Sequence, residues 1–178
     1  MLPTGETPAV TGEFGRLQAE HLIDRGHRRI GYAMPAHPGL LRMAEARLRS
    51  AEDACAAAGL TAPVVASTDL EIASAAAAVT QWTDSAVTGV CAFNDETAIA
   101  VLSGMREHGL TAPADLAVIG ADDIPTARLT SPPLTTVYFD LHEAGRQRAE
   151  AVVACLAGNA SEVTFEPATP RVVPRSST

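Results

Sequence analysis

VTGVCAFNDETAIAVLSGMREHGLTAPADLAVIGADD, residues 87–123, decides the fold class. It opens on an apolar run, 90–93, bounded by Gly89 and Asn94, which is the pattern of a buried strand. Asn94 and Asp95 follow, and either side chain can cap a helix by accepting hydrogen bonds from its unpaired first N–H groups. Ala98, Ile99, Val101, Leu102 and Met105 then recur at helical spacing, and Gly109 supplies the stop. After a turn around Pro113, a second apolar run at 116–119 ends in Gly120-Ala121-Asp122-Asp123. Strand, helix and strand in so short a span make a βαβ unit, with parallel pairing and a right-handed crossover. Both strands run out into polar side chains, and ligands of open α/β sheets bind beyond the carboxyl ends of the strands.

The same alternation extends in both directions. Residues 1–12 read as a tail, and 13–25 as an amphipathic helix closed by Gly26. A strand is expected at 30–33 and a long helix at 41–58, with Leu41, Ala44, Leu48, Ala51 and Cys55 on its apolar face. A strand at 64–66 leads to an alanine-rich helix at 71–83, capped by Thr68 or Asp69. Beyond the central unit come a proline-rich loop at 124–136, a brief strand at 136–138 and a helix at 142–157. Closing strands are expected at 163–165 and 171–173. This order predicts an α/β fold, a parallel sheet flanked by helices on both faces.

With 178 residues the chain can bury a sizeable core, and 47% hydrophobic against 19% charged residues excludes a disordered chain. No apolar run is long enough to cross a bilayer, and MLPTGETPAV lacks the order of a secretory signal. A net charge of −8 excludes nucleic-acid binding through a basic face of this segment. Cys55, Cys91 and Cys155 all lie in apolar stretches, and their odd number reads as reduced core thiols of a cytoplasmic protein.

The polar candidates at strand ends are Asp69, Asn94, Asp95, Asp122 and Asp123, with Arg47 on the helix after the first strand. Arginine carries five donors in a fixed fork, and aspartate accepts from two hydroxyls at once. One Arg, one Asn and one Asp in a crevice suit a small sugar, polyol or nucleoside. Plainer readings stand beside this one. Asp69, Asn94 and Asp95 can simply cap helices, Asp122-Asp123 can be an acidic turn, and Arg47 can be a solvated surface charge. A carboxylate- or metal-dependent hydrolase built on Asp95, Asp122 and Asp123 would need a nucleophile beside a base, or a metal set. There is no metal-ligand spacing, no glycine-rich phosphate loop and no G-x-S-x-G elbow, and His21, His27, His37, His108 and His142 are scattered. No catalytic residue, metal or cofactor is therefore expected.

Four phrases, in order, resemble the effector-binding domain of the LacI/GalR family of bacterial transcription regulators. They are HLIDRGHRRIGY (21–32), FNDETAIAVLSGMREHGLTAPADLAVIGADD (93–123), SPPLTTV (131–137) and PRVVPRSST (170–178). The resemblance implies a periplasmic-binding-protein-like fold, in which two α/β lobes hold a small effector between them and a helix-turn-helix precedes them. Residues 13–178 would then be a partial effector domain. Its C-terminal lobe would cover about 27–136 and 160–178, and the helix at 138–158 would belong to an N-terminal lobe otherwise missing here. Asn94 and Asp122 would contact the effector, Asp95 would cap its helix, and Arg47 would be a third ligand-binding residue, with Arg49 as the alternative register. The family's Gly-aromatic pair is Ser50-Ala51 here, and two positions where the family often carries aromatics are Leu70 and Ala121. The expected partners are a small-molecule effector and a second copy of the chain, with DNA reached only through a helix-turn-helix absent from this sequence. An effector-dead dimerisation piece is the alternative. The bare apolar face of the helix at 138–158 would either self-associate or fold back on the chain's own sheet.

Overall fold

The computed structural model describes residues 7–156 and 169–178. Six strands form one sheet: β1 (Ile30–Pro35), β2 (Val64–Thr68), β3 (Gly89–Ala92), β4 (Ala117–Ala121), β5 (Thr135–Tyr138) and β6 (Arg171–Val173), in the order β2-β1-β3-β4-β5-β6. The first five run parallel, and β6 pairs antiparallel with β5. Five helices connect them: α1 (Thr7–Asp24), α2 (Leu41–Ala57), α3 (Ile72–Asp84), α4 (Asp95–Glu107) and α5 (Leu141–Leu156). The strand expected at 163–165 lies outside the described residues.

The strands read as nearly continuous apolar runs because both faces of the sheet are covered. Ile30, Tyr32, Cys91, Ala117 and Ile119 turn to one face, where Ala19 and Leu22 of α1 and Ala51, Ala54 and Cys55 of α2 meet them. Ala33, Val90, Ala92 and Val118 turn to the other face, against Val79 and Trp82 of α3 and Val101, Leu102 and Met105 of α4. The alanines of α3 let it lie unusually close to α4: a Cβ on Gly104 would stand 2.6 Å from the backbone of Ala75 and Ala76.

Five expectations change. Cys155 is exposed on α5 and is not a core thiol, unlike Cys55 and Cys91. Helix α1 begins at Thr7, inside the stretch read as a tail, and Pro8 in its first turn lacks only an N–H that would be unpaired there anyway. Leu41 is exposed, and the buried face of α2 instead includes Arg47. The α3 N-cap is Glu71, not Thr68 or Asp69; Asp69 Oδ1 accepts from Glu71 N at 3.0 Å in the preceding loop. Helix α5 does not fold back on the sheet, since α1–α2 and α3–α4 already cover both faces. No helix or strand among the described residues packs along it, and Val153 and Leu156 stand in solvent.

Gly104→Ala is expected to force α3 and α4 apart, lowering unfolding free energy by about 1–3 kcal/mol in urea titrations.

Candidate functional site

The β3–β4 register pairs Gly89 with Ala117 and Cys91 with Ile119. Three residues beyond the Cys91–Ile119 pair, the same offset leads to Asn94 at the end of one strand and Asp122 at the end of the other. Both are therefore on one rim, at the carboxyl ends of neighbouring parallel strands.

Arg47 ties these two ends together. It is only 5% exposed, so it is not a solvated surface charge. Its Nη1 donates to the Phe93 carbonyl oxygen, and its Nη2 donates to Asp122 Oδ1 at 3.4 Å. Its guanidinium carbon lies 4.3 Å from the ring centroid of Phe14 and 4.8 Å from that of Phe93, within cation–π range of both. Its Nε has no hydrogen-bond partner among the described residues. Nearby, the buried Gln18 amide of α1 donates to the carbonyls of Ala92 (2.7 Å) and Gly120 (2.9 Å), again joining the ends of β3 and β4.

The helix cap expected of Asp95 falls to Asn94. Asn94 is the α4 N-cap: its Oδ1 accepts from Thr97 N at 2.9 Å and from Thr97 Oγ1 at 2.7 Å. Capping occupies the oxygen and leaves the amide N–H donors. Asp95 is fully buried inside the first turn and does not cap. Its Oδ1 accepts from Thr136 Oγ1 of β5 at 2.5 Å, and its Oδ2 accepts from Ile124 N at 2.9 Å. A Cβ on Gly120 would fall 2.1 Å from Asp95 Oδ1, so β4 must carry glycine there.

Asp122 and Asp123 both take positive φ, +102° and +49°, a region that non-glycine residues seldom occupy. The turn is held by Asp122 N donating to Val137 O (2.8 Å), by the Asp95–Ile124 bond, and by an ion pair between Asp123 and Arg175. Arg175 also donates to Leu134 O at 2.7 Å. Asp123 is thus neutralised within the chain, whereas the Asp122 side chain remains 32% accessible. No spacing in the sequence pointed to Phe14, Gln18, Thr136 or Arg175.

Two grooves, of about 280 and 400 Å³, lie elsewhere, and neither is lined by Arg47, Asn94 or Asp122. Among the described residues, no three His, Cys, Asp or Glu side chains form a metal-binding group, and no helix is long and apolar enough to cross a membrane. Cys91 is fully buried in β3, and burial pushes its thiol well above its ordinary value.

A family model described as a periplasmic binding protein-like domain matches residues 19–178. The chain belongs to this family. Its relatives are LacI-type regulators. The HTH-type transcriptional repressor PurR of Photobacterium profundum is 33% identical over 143 residues, covering 78% of this chain and 42% of the relative. A LacI-family regulatory protein from Chloroflexus aggregans superimposes with a TM-score of 0.82 at 31% identity, over 94% of this chain and 61% of that one. A transcriptional regulator CelR–cellobiose complex gives 0.79 at 30%, over 95% and 52%. The chain spans less than half the length of the first curated relatives it matches, 41–43%. The LacI-type α/β architecture is therefore present, with the six-stranded sheet as its frame.

Burial pushes the Asp95 carboxyl up to about 7 from an ordinary 3.8, and the negative charges of Asp122 and Asp123 add to the rise against the lowering by its bonds to Thr136 and Ile124. A carboxyl raised on folding contributes stability that is full below its unfolded value and is lost as pH rises through the folded one. Asp95→Asn removes that dependence. Between pH ~4 and ~7 the variant is expected to gain steadily in unfolding free energy relative to the unaltered chain. A pH-independent difference in denaturant titrations would reject the raised carboxyl.

Proposed function

We propose that the rim formed by Asn94 and Asp122 is an effector site, and that the chain is the ligand-sensing and dimerisation part of a LacI-type transcription regulator. The observation that supports this reading is the Arg47 bridge, which ties the Phe93 carbonyl, next to Asn94 in the chain, to the Asp122 carboxylate. The Asp122 carboxylate accepts from hydroxyl or amine groups, and the Asn94 amide donates. A sugar, polyol or nucleoside fits that pair. The cellobiose bound to CelR is a ligand of this kind. Arg47 contributes mainly by holding Asp122 in place.

In this reading residues 27–136 and 160–178 make the C-terminal lobe, and α5 supplies a helix to a second lobe packed on its bare face. DNA is reached through a separate helix-turn-helix head, and the site of action is the cytoplasm. A second copy of the chain docks on the apolar surface beside the rim, where Leu70 (65% exposed) and Ile72 (53% exposed) flank Ile99 and Ile124 along the smaller groove. Apolar surface of this sort marks interaction sites.

A panel of sugars, polyols and nucleosides is expected to contain one that raises the melting temperature by roughly 5–10 °C at a hundredfold excess over its Kd. Asp122→Ala should abolish that shift and leave the fold intact, while an undiminished shift would remove Asp122 from the site. No response to any neutral compound would favour an effector-dead dimerisation piece. Ile72→Asp, on an exposed position, is expected to halve the mass measured by light scattering; an unchanged mass would exclude this surface from the dimer.

A further inference from the structure

Phe14 covers one side of the buried Arg47 guanidinium. Its ring lies 4.3 Å from the Arg47 guanidinium carbon. It is anchored on its other sides by Phe139, at 6.0 Å and 59°, and by Ala121 and Val137. Nor can the ring swing away with a loose segment. It sits inside α1, and the next residue, Gly15, presses so closely on α2 that a Cβ there would fall 1.8 Å from the Arg47 carbonyl oxygen. Two helices in backbone contact hold the aromatic ring against the guanidinium.

The consequence is chemical. Arginine's planar fork suits carboxylates and phosphates, which it binds through paired N–H groups. Here Nη1 is taken by Phe93 O, Nη2 by Asp122, and the group is covered by the Phe14 and Phe93 rings. Asp123 is likewise closed off by Arg175. What the rim offers outward is one accessible carboxylate and one amide. Resting on the effector-site reading above, we infer that Phe14 is the specificity-determining wall of the rim. By covering Arg47 it restricts the site to ligands that donate hydrogen bonds, neutral polyols and amines, and turns away carboxylates and phosphates.

Arginine labelling with phenylglyoxal, read by peptide mass spectrometry, tests this without an effector. In the unaltered chain Arg47 should label at least tenfold more slowly than Arg42 and Arg49, which are exposed on the same helix. Phe14→Ala should bring Arg47 to the rate of those two, and Phe14→Val should lie between. The buried thiols Cys55 and Cys91 must stay unreactive in both variants, showing that the fold survives. In Phe14→Ala, inorganic phosphate or benzoate should slow labelling at Arg47 but not at Arg42 or Arg49, and neither anion should alter the melting temperature of the unaltered chain. Rapid labelling of Arg47 in the unaltered chain overturns the inference. So does slow labelling in a folded variant, or phosphate or benzoate stabilising the unaltered chain as strongly as Phe14→Ala. The labelling pattern does not depend on any effector, so failure of every neutral compound to bind, with labelling as expected, would overturn the effector site and leave Phe14 as the cover on Arg47.

Discussion

A single guanidinium joins the two strand ends on which the site depends. Burying an arginine is costly unless its charge is paired and its donors are met. Arg47 is paired through the Phe93 carbonyl, the Asp122 carboxylate and two aromatic rings, while its buried Nε is left without a hydrogen-bond partner among the described residues. The exchange works in both directions. The pairing makes the buried cation tolerable, and the cation fixes the positions of Phe93 and Asp122 relative to each other. Gln18 repeats the pattern with a neutral amide, donating to the ends of the same two strands.

Beneath this bridge lies a second layer that shapes the turn itself. Two successive aspartates at positive φ are a strained arrangement, and strain persists only where the surroundings over-determine it. Asp95 grips the far side of the turn and β5 together, and Gly120 leaves the room for its carboxylate. Asp123 is tied to Arg175, close to the carboxyl terminus. The four aspartates and asparagines of the rim therefore divide their tasks. Asn94 starts a helix, Asp95 and Asp123 hold the backbone, and Asp122 alone keeps an accessible carboxylate. Residues of nearly identical chemistry differ in role because their accessibility and partners differ.

The same physics accounts for α5. A helix continues to carry an apolar stripe only if something covers it, yet both faces of the sheet are already occupied by two helices each. Among the described residues nothing packs along the α5 stripe, and the chain spans 41–43% of the first curated relatives it matches.

Periodicity alone determined the architecture. Apolar runs of strand length, helical repeats of a dozen residues and glycine stops at Gly26, Gly59 and Gly109 placed the elements from β1 to β5 to within about two residues at most ends. All three glycines adopt the positive φ that such stops require. Convergence of parallel strand ends on one edge brought forward Asp69, Asn94, Asp95, Asp122 and Asp123, with Arg47 beside them, and the resemblance to the LacI/GalR family singled out Arg47, Asn94 and Asp122. Only the tertiary structure decided what each of them does. Asp95 is kept from capping by Thr136 of β5, 41 residues away, which holds its carboxyl. Burial of Arg47 depends on α1, whose Phe14 lies 33 residues away in sequence. The Asp123–Arg175 pair spans 52 residues. Local patterns carry information about neighbours three or four residues apart; a side chain's solvent exposure and charge partners are set by segments the chain brings together only on folding.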